Sequence, residues 1–266
     1  MRLAEIHVYP LKGARGISLA RADVLAGGLR HDRRFMILAA DGAFVTQRSH
    51  PRLALIETAL SREALTLRTP GGAVALPLSI EGPRTAVRVW DDDTEGVDAG
   101  EGAADLVSTH LGEPCTVVFM PDDVIRPVEA PHGAPGDRVG FADAYPVLLA
   151  TRASLTDLNA RLPAPVPMSR FRPNLVVEGG EAFEEERYGR VRIGAMALRM
   201  PKRCSRCKVT TVDQDTAEVG KEPLRTLASY RAEGNNVYFA QNLIPDGEGS
   251  VAVGDDVTYL ERREAP

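Results

Sequence analysis

Short runs of β-favouring apolar residues, broken every few positions by turn residues, fill most of the first third of this chain. Ile6 and Val8 mark one run, and Arg21-Ala22-Asp23-Val24-Leu25 another, closed after Ala26 by Gly27-Gly28. Phe35-Met36-Ile37-Leu38 leads into Asp41-Gly42 and then Ala43-Phe44-Val45-Thr46. Two such runs around an Asp-Gly pair predict a hairpin. Residues 53–60, 64–68, 73–78 and 85–90 continue the pattern, so the first third predicts a barrel-like β unit. Helix periodicity is rarer. It covers 102–111, with Ala103, Leu106 and His110, and is clearest over 151–162, where Leu155, Leu158 and Leu162 share a face. A third helix is predicted over 222–231, with Pro223 in its first turn. Strand patterns return over 174–177, 191–200 and 250–260, the last with a turn at Gly254-Asp255.

The expected fold class is therefore β-dominated α+β, with a few flanking helices. A stretch rich in Pro, Gly and charge, 121–140, is either a linker or a loop over a site. It suggests domains 1–120 and 121–266. Twenty-four glycines and nineteen prolines agree with frequent turns and short helices.

Composition narrows the function. A net charge of −5 offers no overall field for nucleic acid or anionic membranes, so local basic clusters read as sites. No apolar run approaches the roughly 18–20 residues that span a bilayer, and the first residues lack a signal-peptide core. Three cysteines do not make a disulfide framework, and the expected location is the reducing cytoplasm.

The densest chemistry lies in Pro201-Lys202-Arg203-Cys204-Ser205-Arg206-Cys207-Lys208. Cationic neighbours favour the thiolate form of cysteine, the form that ligates metals. A structural zinc site would need two more ligands, yet Cys115 is the only other cysteine and no histidine follows Cys207. A thioredoxin-like pair would open a helix, whereas 208–213 is β-branched and reads as a strand. Two cysteines buried in a β core would not explain four adjacent charges. A soft-metal thiolate ligand is the fourth reading, and from this segment alone zinc with scattered ligands, a redox pair and plain burial stay open beside it. An EF-hand-like run at 91–96 lacks the closing Glu, since its twelfth position is Gly102, so it reads as an exposed acidic turn rather than a calcium site.

Motifs spread over nearly the whole chain then carry a resemblance. They are Val8-Tyr9-Pro10-Leu11-Lys12, Gly28-Leu29-Arg30 with Asp32-Arg33-Arg34-Phe35, Val89-Trp90, Phe171-Arg172-Pro173-Asn174, Cys204-Ser205-Arg206-Cys207 and Thr210-Thr211-Val212-Asp213. Glu222-Pro223-Leu224 and Val253-Gly254-Asp255 follow. In that order they resemble a MOSC-domain protein preceded by its N-terminal β-barrel domain. The chain is similar to the mitochondrial amidoxime-reducing components and to bacterial reductases of N-hydroxylated compounds.

The resemblance implies a molybdenum–molybdopterin cofactor, with Cys207 as metal ligand and catalytic centre. Lys12, Arg33, Asp143, Arg172, Asn174, Ser205, Arg206 and Asn242 are the implied cofactor contacts. Arg and Lys suit a phosphate tail, and Asn suits a pterin edge. Pyridoxal phosphate is not expected, nor is an iron–sulfur cluster, for which the cysteines are too few. The implied activity removes oxygen from amidoximes or hydroxylamines, with electrons from a separate ferredoxin-, flavin- or cytochrome-type protein. The alternative is a carrier of cofactor or sulfur without turnover. Nucleic acid and membrane partners are not expected. Two positions depart from the family pattern: Gly13 stands where eukaryotic relatives carry Ser, and Phe239-Ala240-Gln241-Asn242 replaces an F-G-Q pattern.

Overall fold

A computed structural model describes residues 1–263 and is β-dominated α+β, with twenty strands and three short α-helices among them. Val147–Thr151 (β12) lies near the middle of the largest sheet because its side chains, save a half-buried Leu148, are buried. One neighbour is Leu175–Glu178 (β13), parallel to it, and the other is Asn236–Pro245 (β18), antiparallel. A parallel pair needs a crossover, which Arg152–Asn159 (α2) supplies. Thr151 caps that helix, its side chain accepting from the Ser154 amide at 3.1 Å.

The first residues of the chain do not stay with their sequence neighbours. Arg2–Val8 (β1) pairs with β13 and with Ile17–Leu19 (β2), so both belong to the largest sheet. Arg21–Leu25 (β3) pairs with Gly28–Leu29 (β4) and with Gly249–Ala252 (β19). The large sheet continues from β18 through Met196–Arg199 (β15) and Tyr188–Ile193 (β14) to Val257–Arg262 (β20). Arg203–Ser205 (β16) and Ala232–Glu233 (β17) also pair with β18.

Residues 35–119 build a second body. Phe35–Ala39 (β5), Cys115–Phe119 (β11), Asp92–Asp98 (β10) and Arg84–Val89 (β9) form one sheet in that order. Glu57–Leu60 (β6), Ala64–Thr69 (β7) and Gly72–Pro77 (β8) form another, which Glu101–Leu111 (α1) covers. One core gathers around Leu149, Val177 and Leu198, the other around Phe35, Ile37, Leu67 and Val117. Gly28 lets β4 pack closely against the segment leading into β12. Its φ is +106°, and a Cβ there would lie 2.4 Å from the Pro146 carbonyl oxygen, so only glycine fits.

Several predicted elements differ. The expected strand at 208–213 opens as a 3-10 turn, Lys208–Thr211. The hydroxyls of Thr210 and Thr211 donate back to the Cys207 and Lys208 carbonyls at 3.0 and 2.8 Å, a local bond that competes with a sheet ladder. The run 191–200 is a hairpin, turned at Gly194 with φ +55°. The run 250–260 is two strands that pair with β3 and β14 rather than with each other. The acidic 91–96 run is mostly strand β10, with only Trp90 and Asp91 in the turn. Pro51 starts a 3-10 turn, Pro51–Leu55, in the first half of the expected strand 53–60. The helix expected over 222–231 shortens to Leu224–Ala228 (α3). Helix α2 stops at Asn159, whose amide clamps the Val166 backbone at 2.9 and 3.1 Å.

Glu185 is wholly buried beneath the start of α2, where Ser154 Oγ donates to it at 3.1 Å. Burial pushes its carboxyl up to about 7 from an ordinary 4.5. Between those values the folded state holds a proton that the unfolded chain has released, so stability falls as pH rises from 4.5 toward 7. Glu185→Gln should flatten that dependence. Urea titrations at pH 5 and pH 8 should show the wild type losing about 2 kcal/mol more than the variant; equal losses would show that Glu185 does not carry the proton.

Candidate functional site

A cavity of about 600 Å³ opens between the two bodies. All nine residues singled out in the sequence line it. Lys12, just after β1, is tied in because its backbone amide donates to the Phe35 carbonyl at 2.8 Å. Its ammonium is 7% exposed and donates to Phe141 O at 2.6 Å and Asp143 Oδ1 at 2.5 Å. Burial pulls the Lys12 ammonium down, with Asp143 opposing. Burial would raise Asp143 in turn, but Lys12 and Arg48, 3.2 Å away, outweigh it and hold the carboxyl below its usual range.

Arg33 sits in the turn after β4 with φ +46°. Its guanidinium donates to Asp32 at 2.5 Å, to Asn174 Oδ1 at 3.1 Å and to the Arg172 carbonyl at 3.3 Å. Asn174 precedes β13 and spends most of its side chain on the frame: Oδ1 also accepts from Leu148 N at 3.1 Å, and Nδ2 donates to His7 O at 3.1 Å. It therefore fixes where Arg33 points.

Arg172 is the unusual member. Its own backbone is left-handed, with φ +53°, and the residue is 8% exposed. It lies 4.3 Å from the centre of the Tyr9 ring, as does Arg33. Its one side-chain hydrogen bond among the described residues goes to Gln214 Oε1 at 3.3 Å, an amide that a reciprocal pair with Gln47 holds still. Burial, with repulsion from Arg33, pushes Arg172 down to about 10. A buried cation without an adjacent carboxylate is costly unless an anion meets it.

The C-S-R-C segment enters on β16, whose pairing with β18 slips by one residue between Arg203 and Ser205. Such a bulge re-aims side chains beside a site. Opposite it is Ala240, with φ +74°, at the position where the family pattern has Gly; this chain bears that backbone strain with a methyl group. Arg206 donates to Cys204 Sγ at 2.8 Å and to Phe171 O at 2.9 Å, and its Nε is buried without a partner. Cys204 and Cys207 are half-buried free thiols, and Ser205 is exposed. Asn242, on β18, reaches the Arg203 carbonyl at 3.4 Å. Gly13 has φ +87°, lines the cavity and gives its carbonyl to Gln47 at 2.6 Å. Asp213 lies outside: it closes a turn by accepting from the amides of Asp215 and Thr216, and it pairs with Arg170 at 2.6 Å.

Sequence reasoning missed Arg126. This guanidinium is 2% exposed inside the 121–140 stretch, which is a loop over the cavity. It donates to Asp92 at 2.7 Å and to the carbonyls of Gly140, Ala142 and Asp143 at 2.9, 2.6 and 2.9 Å. It thereby ties the β9–β10 hairpin to the loop that carries Asp143. An isolated Arg among prolines gives no signal of such burial. Trp90, also on the wall, did have one: it is the only tryptophan. No group of three or more potential metal-ligating His, Cys, Asp or Glu side chains occurs among the described residues. A metal held by one thiolate and a non-protein ligand would form no such group.

Arg126→Met removes one charge and leaves three carbonyls and Asp92 without their partner. It should cost about 3–5 kcal/mol, read as a lower urea midpoint. A change within 0.5 kcal/mol would mean that the clasp carries no weight.

Comparison with known proteins identifies a family. The MOSC N-terminal beta barrel domain family matches residues 1–114, and the MOSC domain family matches 136–258. Mitochondrial amidoxime-reducing component 1 of Homo sapiens is 35% identical over 97% of this chain and 82% of its own length. The same component of Mus musculus is 34% identical with the same coverage. Mitochondrial amidoxime reducing component 2 of Rattus norvegicus is 32% identical over 96% of this chain and 82% of its own. These names overturn the expected cytoplasmic location, since the relatives are named mitochondrial. Free thiols argue for a reducing compartment, and that property does not single out the cytoplasm. No helix among the described residues is long and apolar enough to cross a membrane.

Proposed function

Because this chain belongs to the family of MOSC-domain proteins that includes the amidoxime-reducing components, we propose that it binds the molybdenum cofactor and reduces N-hydroxylated small molecules. The family is molybdenum-cofactor-related, and the observation that carries the cofactor to this cavity is Arg172. Among the described residues its buried guanidinium has no carboxylate beside it, and it faces the same space as Cys207. Arg206 adds a second guanidinium with an unpartnered buried nitrogen. This donor set fits an anionic group with a phosphate tail and a soft metal: two cations ask for an anion, and a thiolate suits such a metal.

In this reading Cys207 ligates the metal, while Arg172, Arg33 and Lys12 hold the anionic part. Ser205, Arg206 and Asn242 line its path, and Asn174 orients Arg33. Asp143 keeps Lys12 and Arg48 in place and is held as a carboxylate by both. The bound group would supply two-electron oxygen-atom chemistry, and the protein supplies ligation and orientation. The net reaction consumes two electrons and two protons, and turns an N–OH group into N–H and water. The relatives are named components, and we take a separate electron-donor protein of ferredoxin, flavin or cytochrome type as the other part. The division of the chain into domains 1–120 and 121–266 belongs to the same proposal as a division of the sequence; in space strands β1 to β3 pair with strands of the second part.

Protein purified from a cofactor-competent host should contain nearly one molybdenum per chain by elemental analysis, and Cys207→Ala almost none. With an artificial electron donor, the wild type should reduce an amidoxime or hydroxylamine and the variant should not. Molybdenum without turnover would favour a cofactor carrier. Equal molybdenum in both proteins would remove Cys207 as the ligand.

A further inference from the structure

Trp90 occupies a place that folding alone would not give it. It is the first residue of the two-residue turn joining β9 to β10, where Val89 pairs with Asp92. Its φ is +58°, a conformation that glycine adopts freely and that a bulky side chain adopts only at a cost. Nothing in a core repays that cost, because the residue is 44% exposed. Backbone strain of this kind persists where surroundings over-determine it, and it gathers at ligand clamps.

The surroundings here do over-determine it. Phe44 meets the indole edge-on, with ring centres 5.0 Å apart. The Arg48 guanidinium lies 4.7 Å from the indole centre and bonds to Asp143 at 3.2 Å. Asp143 pairs with Lys12, whose ammonium stands 5.1 Å from the Phe44 ring. The five side chains thus close a circuit. Asp92, two residues beyond Trp90, is pinned by Arg126. The result is a fixed, open aromatic surface on a cavity wall otherwise dense in charge.

We propose that Trp90, with Arg48 beside it, is the surface that recognises the substrate, and that it selects flat conjugated N-hydroxylated compounds over aliphatic ones. This rests on the reductase reading above for the N–OH group, while the preference for flat ligands rests on the indole. A planar conjugated ligand gains stacking and buried area against the indole and guanidinium planes. A small aliphatic one gains little.

Because Trp90 is the only tryptophan, its fluorescence reports on this wall directly, without turnover or metal. Titration with benzamidoxime should change that emission saturably, and acetamidoxime at equal concentration should not. No change with benzamidoxime, or equal change with both, overturns the proposal, whatever the protein catalyses. In the molybdenum-loaded protein, Trp90→Leu should shift the ratio of KM values by about tenfold against benzamidoxime, and Trp90→Phe should recover part of it. Molybdenum content should stay level in both variants. A ratio left unchanged in Trp90→Leu, with intact molybdenum, overturns it as well. Failure to turn over either substrate would instead refute the reductase reading, and the fluorescence titration would still decide the role of Trp90.

Discussion

Two guanidiniums share one buried aromatic ring in this protein, and among the described residues only one of them has a carboxylate. Arg33 and Arg172 each lie 4.3 Å from the Tyr9 ring centre. Asp32, buried and 2.5 Å from Arg33, answers the first charge. The second is met only by an aromatic face and by the amide oxygen of Gln214. Burying like charges so close is tolerable because the frame around them is complete. Tyr9 donates its hydroxyl to Pro173 O at 3.0 Å, Asp32 accepts the Tyr9 amide at 2.8 Å, and Asn174 bridges three segments. The residual positive charge is then available to the cavity rather than quenched by the protein.

The wall around Lys12, Asp143 and Arg48 follows a different logic. There the charges are compensated within the protein, and Arg126 spends every donor on neighbouring carbonyls and Asp92. One side of the cavity therefore keeps an unanswered charge, while on the other Lys12 spends two of its three donors on Phe141 and Asp143 and keeps one for a ligand. A ligand with an anionic end and a flat, weakly charged end would find a matching surface for each.

Much of this was legible in the sequence, for reasons that differ by residue. Strand runs such as 64–68 and 174–177 were readable because their β-favouring residues and their burial agree. The strand expected after Cys207 failed because two threonine hydroxyls bonded to their own backbone. The nine lining residues were found by motif, since no local pattern separates Lys12 or Arg33 from a solvated surface charge. Arg126 belongs to no motif, and its burial follows from a loop folding over it. Nor could the sequence show that Asn174 is committed to the frame, because its partners come from residues 7, 33 and 148.

The pairing of the chain's opening strands with its closing ones has a consequence for biosynthesis. Strand β1 must wait for β13, some 170 residues later, and β3 must wait for β19, nearly at the end. Contacts so distant in sequence make assembly slow, because loop-closure entropy is spent before the ladder forms. A nascent chain could complete the 35–119 body well before the rest has left the ribosome. Lys12 and Arg33, although made early, cannot meet Arg172 and Cys207 until those much later segments have been made. The cavity thus exists only after residues 172–242 have been made, and whatever fills it must arrive after that point.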